Sequence, residues 1–341
     1  MIARSAPVHP PHLATSTILD RIKASGSHGY SGTVDLAGNV KLPVASRFTD
    51  IGPLLGGRTT LRVWWRDRSE WRVDKLLIAG ETDLFHEGTR TTQWEYEAAK
   101  ATVSEDPAIR LPRSEDLIPP VLAARLLKDA GADEVRRLAP RRVAGVSAVG
   151  VEVRPRSSKS SIGRLDLWAD PETGIVLRAD LYAVGSTQPA FSTAFTSFTS
   201  KTPSSTVTRF AAPTSVPVRF ESVLDIADAA NQYAPVIPPK TVAGLRRTGS
   251  AAGAVGVYGT GLVQVLVVPL RGRDADTLRE QLDKIPGVRQ TPDGPTLMAG
   301  PLGVLVSGGH EQPWLIVGSV SRATLAAVAR DLRSGARYRY R

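Results

Sequence analysis

The chain has 341 residues, 42% of them hydrophobic, enough to bury the cores of two domains. It contains no cysteine, which excludes disulfides, thiolate metal sites, cysteine nucleophiles and a lipid anchor on an N-terminal cysteine. The net charge of +10 is partly local, because Arg330, Arg333, Arg337, Arg339 and Arg341 crowd the C-terminus, and the remainder lacks the basic stripe of a nucleic-acid-binding surface.

Residues 1–12 are polar and proline-rich, without a signal-peptide pattern, and read as a disordered tail. Export would need a signal upstream of this start; otherwise the chain is cytoplasmic. Ile18, Leu19 and Ile22 share one helix face, with Thr15 or Ser16 as N-cap and Gly26 as the stop. Period-two stretches at 30–36, 60–66, 70–78, 82–86 and 89–97 predict strands of an antiparallel sheet with one wet and one dry face. Trp71 and Val73 oppose Arg72 and Asp74, and Trp94 and Tyr96 oppose Glu95 and Glu97. Between the first two strands, residues 39–58 read as a long apolar loop carrying Leu42, Val44, Phe48, Ile51, Leu54 and Leu55, the kind that forms a lid.

Pro119 and Pro120 open a helix with Leu122, Leu126 and Leu127 on one stripe. Strands resume at 142–154, 163–169 and 175–183, the last two joined by the turn sequence Asp170-Pro171-Glu172-Thr173-Gly174, and a further strand covers 191–198. A Pro/Ser/Thr-rich stretch follows to 218, residues 221–233 can form a short helix, and Pro235, Pro238 and Pro239 punctuate a linker over 221–240. The rest reads as a small α+β unit over 241–335, with a helix after Asp274 and a last helix capped by Ser321 with Leu325, Val328 and Leu332 inward. Residues 336–341 read as a basic tail, solvated or lying on an anionic membrane or partner.

Catalytic constellations are weak. No His-Glu-x-x-His occurs among His9, His12, His28, His86 and His310, so no metal is expected. Ser147 lacks the second glycine of a nucleophile elbow. Gly259 and Gly261 open a strand rather than a helix, which is a turn and not a dinucleotide site. The pairs Glu81/Asp83 and Glu95/Glu97 fall on the wet sheet face, and Glu115/Asp116 at a helix start. No cofactor is implied, and the chain reads as a non-enzyme. What remains is an apolar sheet face rich in aromatics, either an ordinary core or a concave seat for acyl chains.

Several stretches carry a resemblance: Tyr30-Ser31-Gly32-Thr33-Val34 after a helix, Leu61-Arg62-Val63-Trp64-Trp65, Asp83-Leu84-Phe85-His86-Glu87-Gly88 leading to Trp94-Glu95-Tyr96, and Leu167-Trp168-Ala169-Asp170-Pro171. Together they resemble the N-terminal domain of the RseB/MucB family of periplasmic sigma-E regulators, whose fold is that of the outer-membrane lipoprotein carrier LolA. Leu245-Arg246-Arg247, the 256–262 stretch and Trp314-Leu315-Ile316-Val317-Gly318 resemble that family's second domain, and the Arg- and Ala-rich style looks actinobacterial. The resemblance implies an α+β chain: a LolA-like antiparallel half-barrel over 13–220 with helices on its concave face, then the smaller unit. It implies an extracytoplasmic binding protein that holds a lipid or lipoprotein acyl chain. In the regulator branch, the second domain holds a membrane-anchored anti-sigma factor; a transporter is the corresponding partner of the carriers. The expected cavity and lid residues are Phe48, Ile51, Leu54, Leu55, Trp71, Trp94 and Tyr96.

Overall fold

The computed structural model describes residues 10–40, 51–107, 109–110, 112–214, 216–221, 225–248, 253–307 and 312–338. Helix α1 (Thr15–Ala24) buries Ile18, Leu19 and Ile22, the stripe its sequence spacing predicts. The strands that follow are β1 (Tyr30–Gly38), β2 (Arg58–Trp65), β3 (Glu70–Leu77), β4 (Gly80–Glu87), β5 (Arg90–Glu95) and β6 (Lys100–Glu105), with α2 (Ile51–Gly56) between β1 and β2. After α3 (Pro119–Leu126) come β7 (Val135–Val143), β8 (Val146–Val153), β9 (Ile162–Ala169), β10 (Val176–Ala183) and β11 (Phe191–Thr199). Helix α4 (Ser205–Thr208) and β12 (Val218–Phe220) complete this part.

These strands form one twelve-stranded sheet in the order β12-β6-β5-β4-β3-β2-β1-β11-β10-β9-β8-β7. Every pairing is antiparallel except that of β12 with β6. The sheet runs out from β1 along the meander β2–β6 on one side and β11–β7 on the other. The β9–β10 turn forms as its sequence requires: Asp170 accepts hydrogen bonds from Glu172 N–H at 3.1 Å and the Thr173 hydroxyl at 2.8 Å. Gly174 takes φ +74°, and a Cβ there would lie 2.3 Å from the Arg21 carbonyl oxygen of α1.

One face of the sheet, called inner below, carries the main core. Helix α3 packs over β10 and β11, α1 over β7 and β8, and α2 against β1 and β2. The stretch expected to be a free lid over 39–58 is therefore partly helical, and Leu54 is a core residue. Its remainder, with Phe48, lies outside the described residues.

The other face is covered in part by the Pro/Ser/Thr-rich stretch. Arg66 Nη1 donates to the Pro203 carbonyl at 2.5 Å, the Thr208 hydroxyl to Glu70 at 2.7 Å, and the Phe210 ring packs on Phe85 and Trp94. Residues 203–210 thus form a strap across β2–β5, which then pairs at the sheet edge as β12.

The second part begins with α5 (Ile226–Tyr233) and the short strands β13 (Val236–Ile237), β14 (Thr241–Val242) and β15 (Leu245–Thr248). It continues through β16 (Gly256–Thr260), β17 (Val263–Pro269), α6 (Gly272–Asp283), β18 (Thr296–Ala299), β19 (Leu302–Val306), β20 (Trp314–Gly318), α7 (Arg322–Gly335) and β21 (Arg337–Tyr338). Seven of these strands make a sheet ordered β14-β15-β16-β17-β20-β19-β18. Ser321 caps α7 by accepting from Thr324 N–H at 3.3 Å, and Leu325, Val328 and Leu332 bury against one sheet face. Ala275 and Leu282 of α6 cover Leu297, Val304 and Val306 on the other.

Two expectations need correction here. Residues 221–240 are not a bare linker, since Ala227, Ala230, Ala234 and Val236 enter the core of the second part. The prolines around β13 are compatible with this because β13 belongs to a two-stranded edge pair. Its partner is β21, so Arg337 and Tyr338 of the expected tail are paired backbone.

The two parts interlock. Leu262, at the tip of the β16–β17 hairpin and 7% exposed, belongs to the core of the first sheet. Val40 reciprocates by packing with Ala275, Leu297 and Val304. Ser160 donates to the Leu262 carbonyl at 3.2 Å, and the Thr260 hydroxyl bonds Asp129. Among the described residues no helix is long and apolar enough to cross a membrane.

Candidate functional site

The candidate site is the inner face of β11 and β1–β4, where an aromatic ladder runs across five strands. Phe198 lies 6.5 Å from Tyr30, Tyr30 stacks on Trp65 at 6.0 Å, Trp65 on Trp71 at 5.6 Å, and Trp71 on His86 at 4.9 Å, all centroid to centroid. Register builds it: Tyr30 opposes Trp65, Trp65 opposes Trp71, and Trp71 opposes His86. The Tyr30 hydroxyl is buried with no hydrogen-bond partner among the described residues, and burial pushes its pKa well up.

At its far end the ladder meets ionisable groups. His86 Nδ1 lies 3.3 Å from the Thr91 hydroxyl and 3.6 Å from Asp106 Oδ2. Burial pulls the His86 pKa down, against the attraction of Asp106. Nearby, Arg110 pairs with Glu115 at 3.0 Å and with Asp116 at 2.6 Å. Glu115 is buried, its Oε2 lacks a partner among the described residues, and its pKa is pushed up to about 7 by burial first and Asp116 second. The inner face thus offers a dry aromatic track ending in polar groups.

The expected site residues divide. Trp71 is in the ladder, 5% exposed, and Leu54 lies in the same core. Leu55 is half-buried and touches both the main core and the α6 core. Ile51 begins α2, with its side chain outside the described part. Trp94 does not join them: it opposes Asp83, on the outer face, and packs on Phe210. Tyr96 lies beyond the end of β5, in the turn before β6, and is 66% exposed. The inner positions of β5 are Thr91 and Gln93, whose polarity hid the direction of the strand.

The outer face of β2–β4 is not wet, contrary to expectation. Asp74 is fully buried and Asp83 is 4% exposed. Arg72 bonds Asp74 at 2.6 Å and Asp83 at 2.9 Å, and Arg62 reaches Asp74 at 3.2 Å and also pairs with Glu81. Arg72 further sits 5.0 Å from the Trp64 ring centre and 4.7 Å from that of Phe85. Burial, then the neighbouring Asp74, pushes the Asp83 pKa up to about 7. Asp74, Glu81 and Asp83 bring carboxylate oxygens within 4.8 Å of one another, but two guanidiniums already occupy the cluster. The link between the His86 end of the ladder and Glu115 runs through Arg110 and is not visible in the sequence, because it depends on β4 and on the 3-10 turn at 114–117 that packs beside β3.

No family model matches the sequence, and no curated protein matches it significantly. Solved structures do. The chain superposes on the Pseudomonas aeruginosa MucA/MucB complex with a TM-score of 0.54 and 19% identity, over 96% of this chain and 99% of that one. A second structure, MucB in complex with MucA(peri), gives a TM-score of 0.51 at 19% identity, over 96% of this chain and all of that one. The chain has the fold of MucB. The match to MucB spans both sheets, so the arrangement of a large sheet followed by a smaller α+β part is common to the two.

Proposed function

We propose that this chain is a non-enzymatic, extracytoplasmic binding protein that acts on a sigma-factor system by holding a membrane-anchored anti-sigma factor. In this reading the twelve-stranded sheet, residues 13–220, is a LolA-like half-barrel, and the part over 241–335 supplies the protein-binding surface. The observation that carries it is an apolar stripe on the second sheet. Val257, Leu266 and Val317 lie in register across β16, β17 and β20. Val317 opposes Val304, which α6 covers, whereas the three others are only half-buried. Such a stripe suits a partner segment laid beside α6. That MucB, which shares both parts of the fold, crystallises with MucA supports the same reading.

The test is size-exclusion chromatography of the purified chain with the extracytoplasmic segment of an anti-sigma factor encoded beside it. Co-elution is expected, and Leu266→Glu, with an unchanged circular dichroism spectrum, should weaken it by at least about tenfold. Separate elution of the two folded components rejects the reading.

The aromatic ladder favours a second reading, in which the inner face takes a lipid or lipoprotein acyl chain. The chain would lie along Trp65 and Trp71, with its head group toward His86 and Glu115, and α2, with Leu54 and Leu55, would act as the gate. Native mass spectrometry of protein from its own host, followed by lipid extraction, tests it; a ligand-free mass removes it.

A further inference from the structure

The outer face of β7–β10 carries a different arrangement. Arginines alternate with acids across it: Arg154 bonds Glu152 at 2.5 Å, Arg164 bonds Asp166 at 3.3 Å, and Arg178 bonds Asp180 at 2.8 Å. Arg164 covers the Tyr182 ring at 3.5 Å. At one end of this array an open pocket of about 470 Å³ sits between a bulge in β7 and the β10–β11 connection, with Ala139, Pro140 and Pro189 on its wall and Trp168 in its floor.

The pocket is shaped by its backbone. Trp168 Nε1 donates to the Ala139 carbonyl at 3.1 Å, which fixes the indole against the bulge. That approach requires Gly150, where a Cβ would lie 2.8 Å from the Ala139 oxygen and 3.0 Å from Trp168 Nε1.

Arg141 and Asp180 both line the pocket, Arg141 at its mouth and Asp180 beneath its surface. Arg141 makes no ion pair among the described residues; its guanidinium carbon sits 5.0 Å from the centre of the Trp168 ring. Asp180 gives one oxygen to Arg178, but its buried Oδ1 has no hydrogen-bond partner among the described residues. A cation without an ion-pair partner at the mouth calls for a ligand that brings an anion. The proline and indole surfaces beside it add a place for an apolar side chain.

We propose that this pocket binds a peptide carboxylate: the carboxylate pairs with Arg141, and the adjoining apolar side chain packs on Pro140, Pro189 and Trp168. The chemistry is shared by a free chain terminus and by an internal acidic residue. The site lies on the first sheet, away from the stripe on the second, and stands whether or not that stripe binds a partner.

The test is fluorescence anisotropy with fluorescein-labelled Gly-Gly-Ala-Leu as free acid, the same peptide as C-terminal amide, and amidated Gly-Glu-Ala-Leu. Binding of the free acid but not of its amide assigns the pocket to a chain terminus; binding of the amidated glutamate peptide assigns it to an internal acid. In either case Arg141→Ala should weaken binding by at least about tenfold. Arg136→Ala, another exposed outer-face arginine outside the pocket, should leave binding within about twofold. The proposal fails if no carboxylate peptide binds up to about 1 mM, or if Arg141→Ala and Arg136→Ala weaken binding equally. Because Arg141 is exposed, its loss tests recognition without disturbing the fold.

Discussion

The two faces of β2–β4 are made by the same three strands and reach burial by opposite routes. On the inner face Leu61, Val63, Trp65, Trp71, Val73 and Leu84 pack without an ion pair. On the outer face Arg72, Asp74 and Asp83 are covered as a charged network beneath aromatic rings, with the partly exposed Arg62 closing it toward solvent. The inner route draws on apolar area, and its titratable groups, His86 and Glu115, stand only at the end of the ladder; the outer one needs every charge matched, and Asp83 is the member least well matched.

Removing a ring tests the inner face most severely. Trp71→Ala should cost about 3–5 kcal/mol in urea unfolding, because the cavity opens between Trp65 and His86. A loss below about 1 kcal/mol would mean the ladder is loosely packed. Leu262→Ala asks whether the second part contributes to that same core, and should cost about 2–3 kcal/mol. If it costs nothing, the interlock of the two parts carries no stability.

The outer face should announce itself through pH. A carboxylic acid whose folded pKa is near 7, well above the unfolded value of about 4, holds its proton more tightly in the native state. Stability therefore falls as pH rises from about 4 through 7, and the whole cost is expressed above 7. Glu115 contributes with the same sign over the same window. Unfolding of wild type between pH 5 and 8 should show this decline, opposed through about pH 6.5 by His86, whose lowered pKa adds stability as pH rises, and Asp83→Asn combined with Glu115→Gln should remove the decline. An equal slope in the double variant would show that neither carboxyl is perturbed in the folded chain.

The smallest effect sharpens the contrast. Tyr30→Phe removes a buried hydroxyl that has no partner, so stability should stay within about 1 kcal/mol of wild type or rise. If the acyl-chain reading holds, the same variant should change the recovered lipid while leaving the unfolding curve alone.

Much of this was legible in the sequence where the signal is local. The stripes of α1 and α7, the 170–174 turn and the alternation along β3 each depend on residues a few positions apart. Period-two patterning, however, fixes only which residues share a face, not which face is inside. Alternation therefore groups Trp94 with Trp71, although three antiparallel registers put it opposite Asp83. Tyr96 continues the alternation in the sequence, although the strand ends at Glu95. The strap at 203–210 and the order in 221–240 stayed hidden because their partners, Phe85 and Trp94 in one case and the second core in the other, are remote in sequence.

The reciprocal exchange of Leu262 and Val40 makes the junction a latch rather than a hinge. Swinging the smaller part away means withdrawing Leu262 into water, at a cost on the order of 2 kcal/mol for that side chain alone; with Val40 and the Ser160 and Thr260 hydrogen bonds also broken, fewer than about one molecule in thirty is open at any moment. A partner that grips only the open form would be held back by that same factor, whereas an occupant of the inner face that displaced Leu262 would release it. Neither half, expressed alone, would be a finished object: one would carry an unfilled notch where Leu262 sits, the other a bare leucine at a hairpin tip.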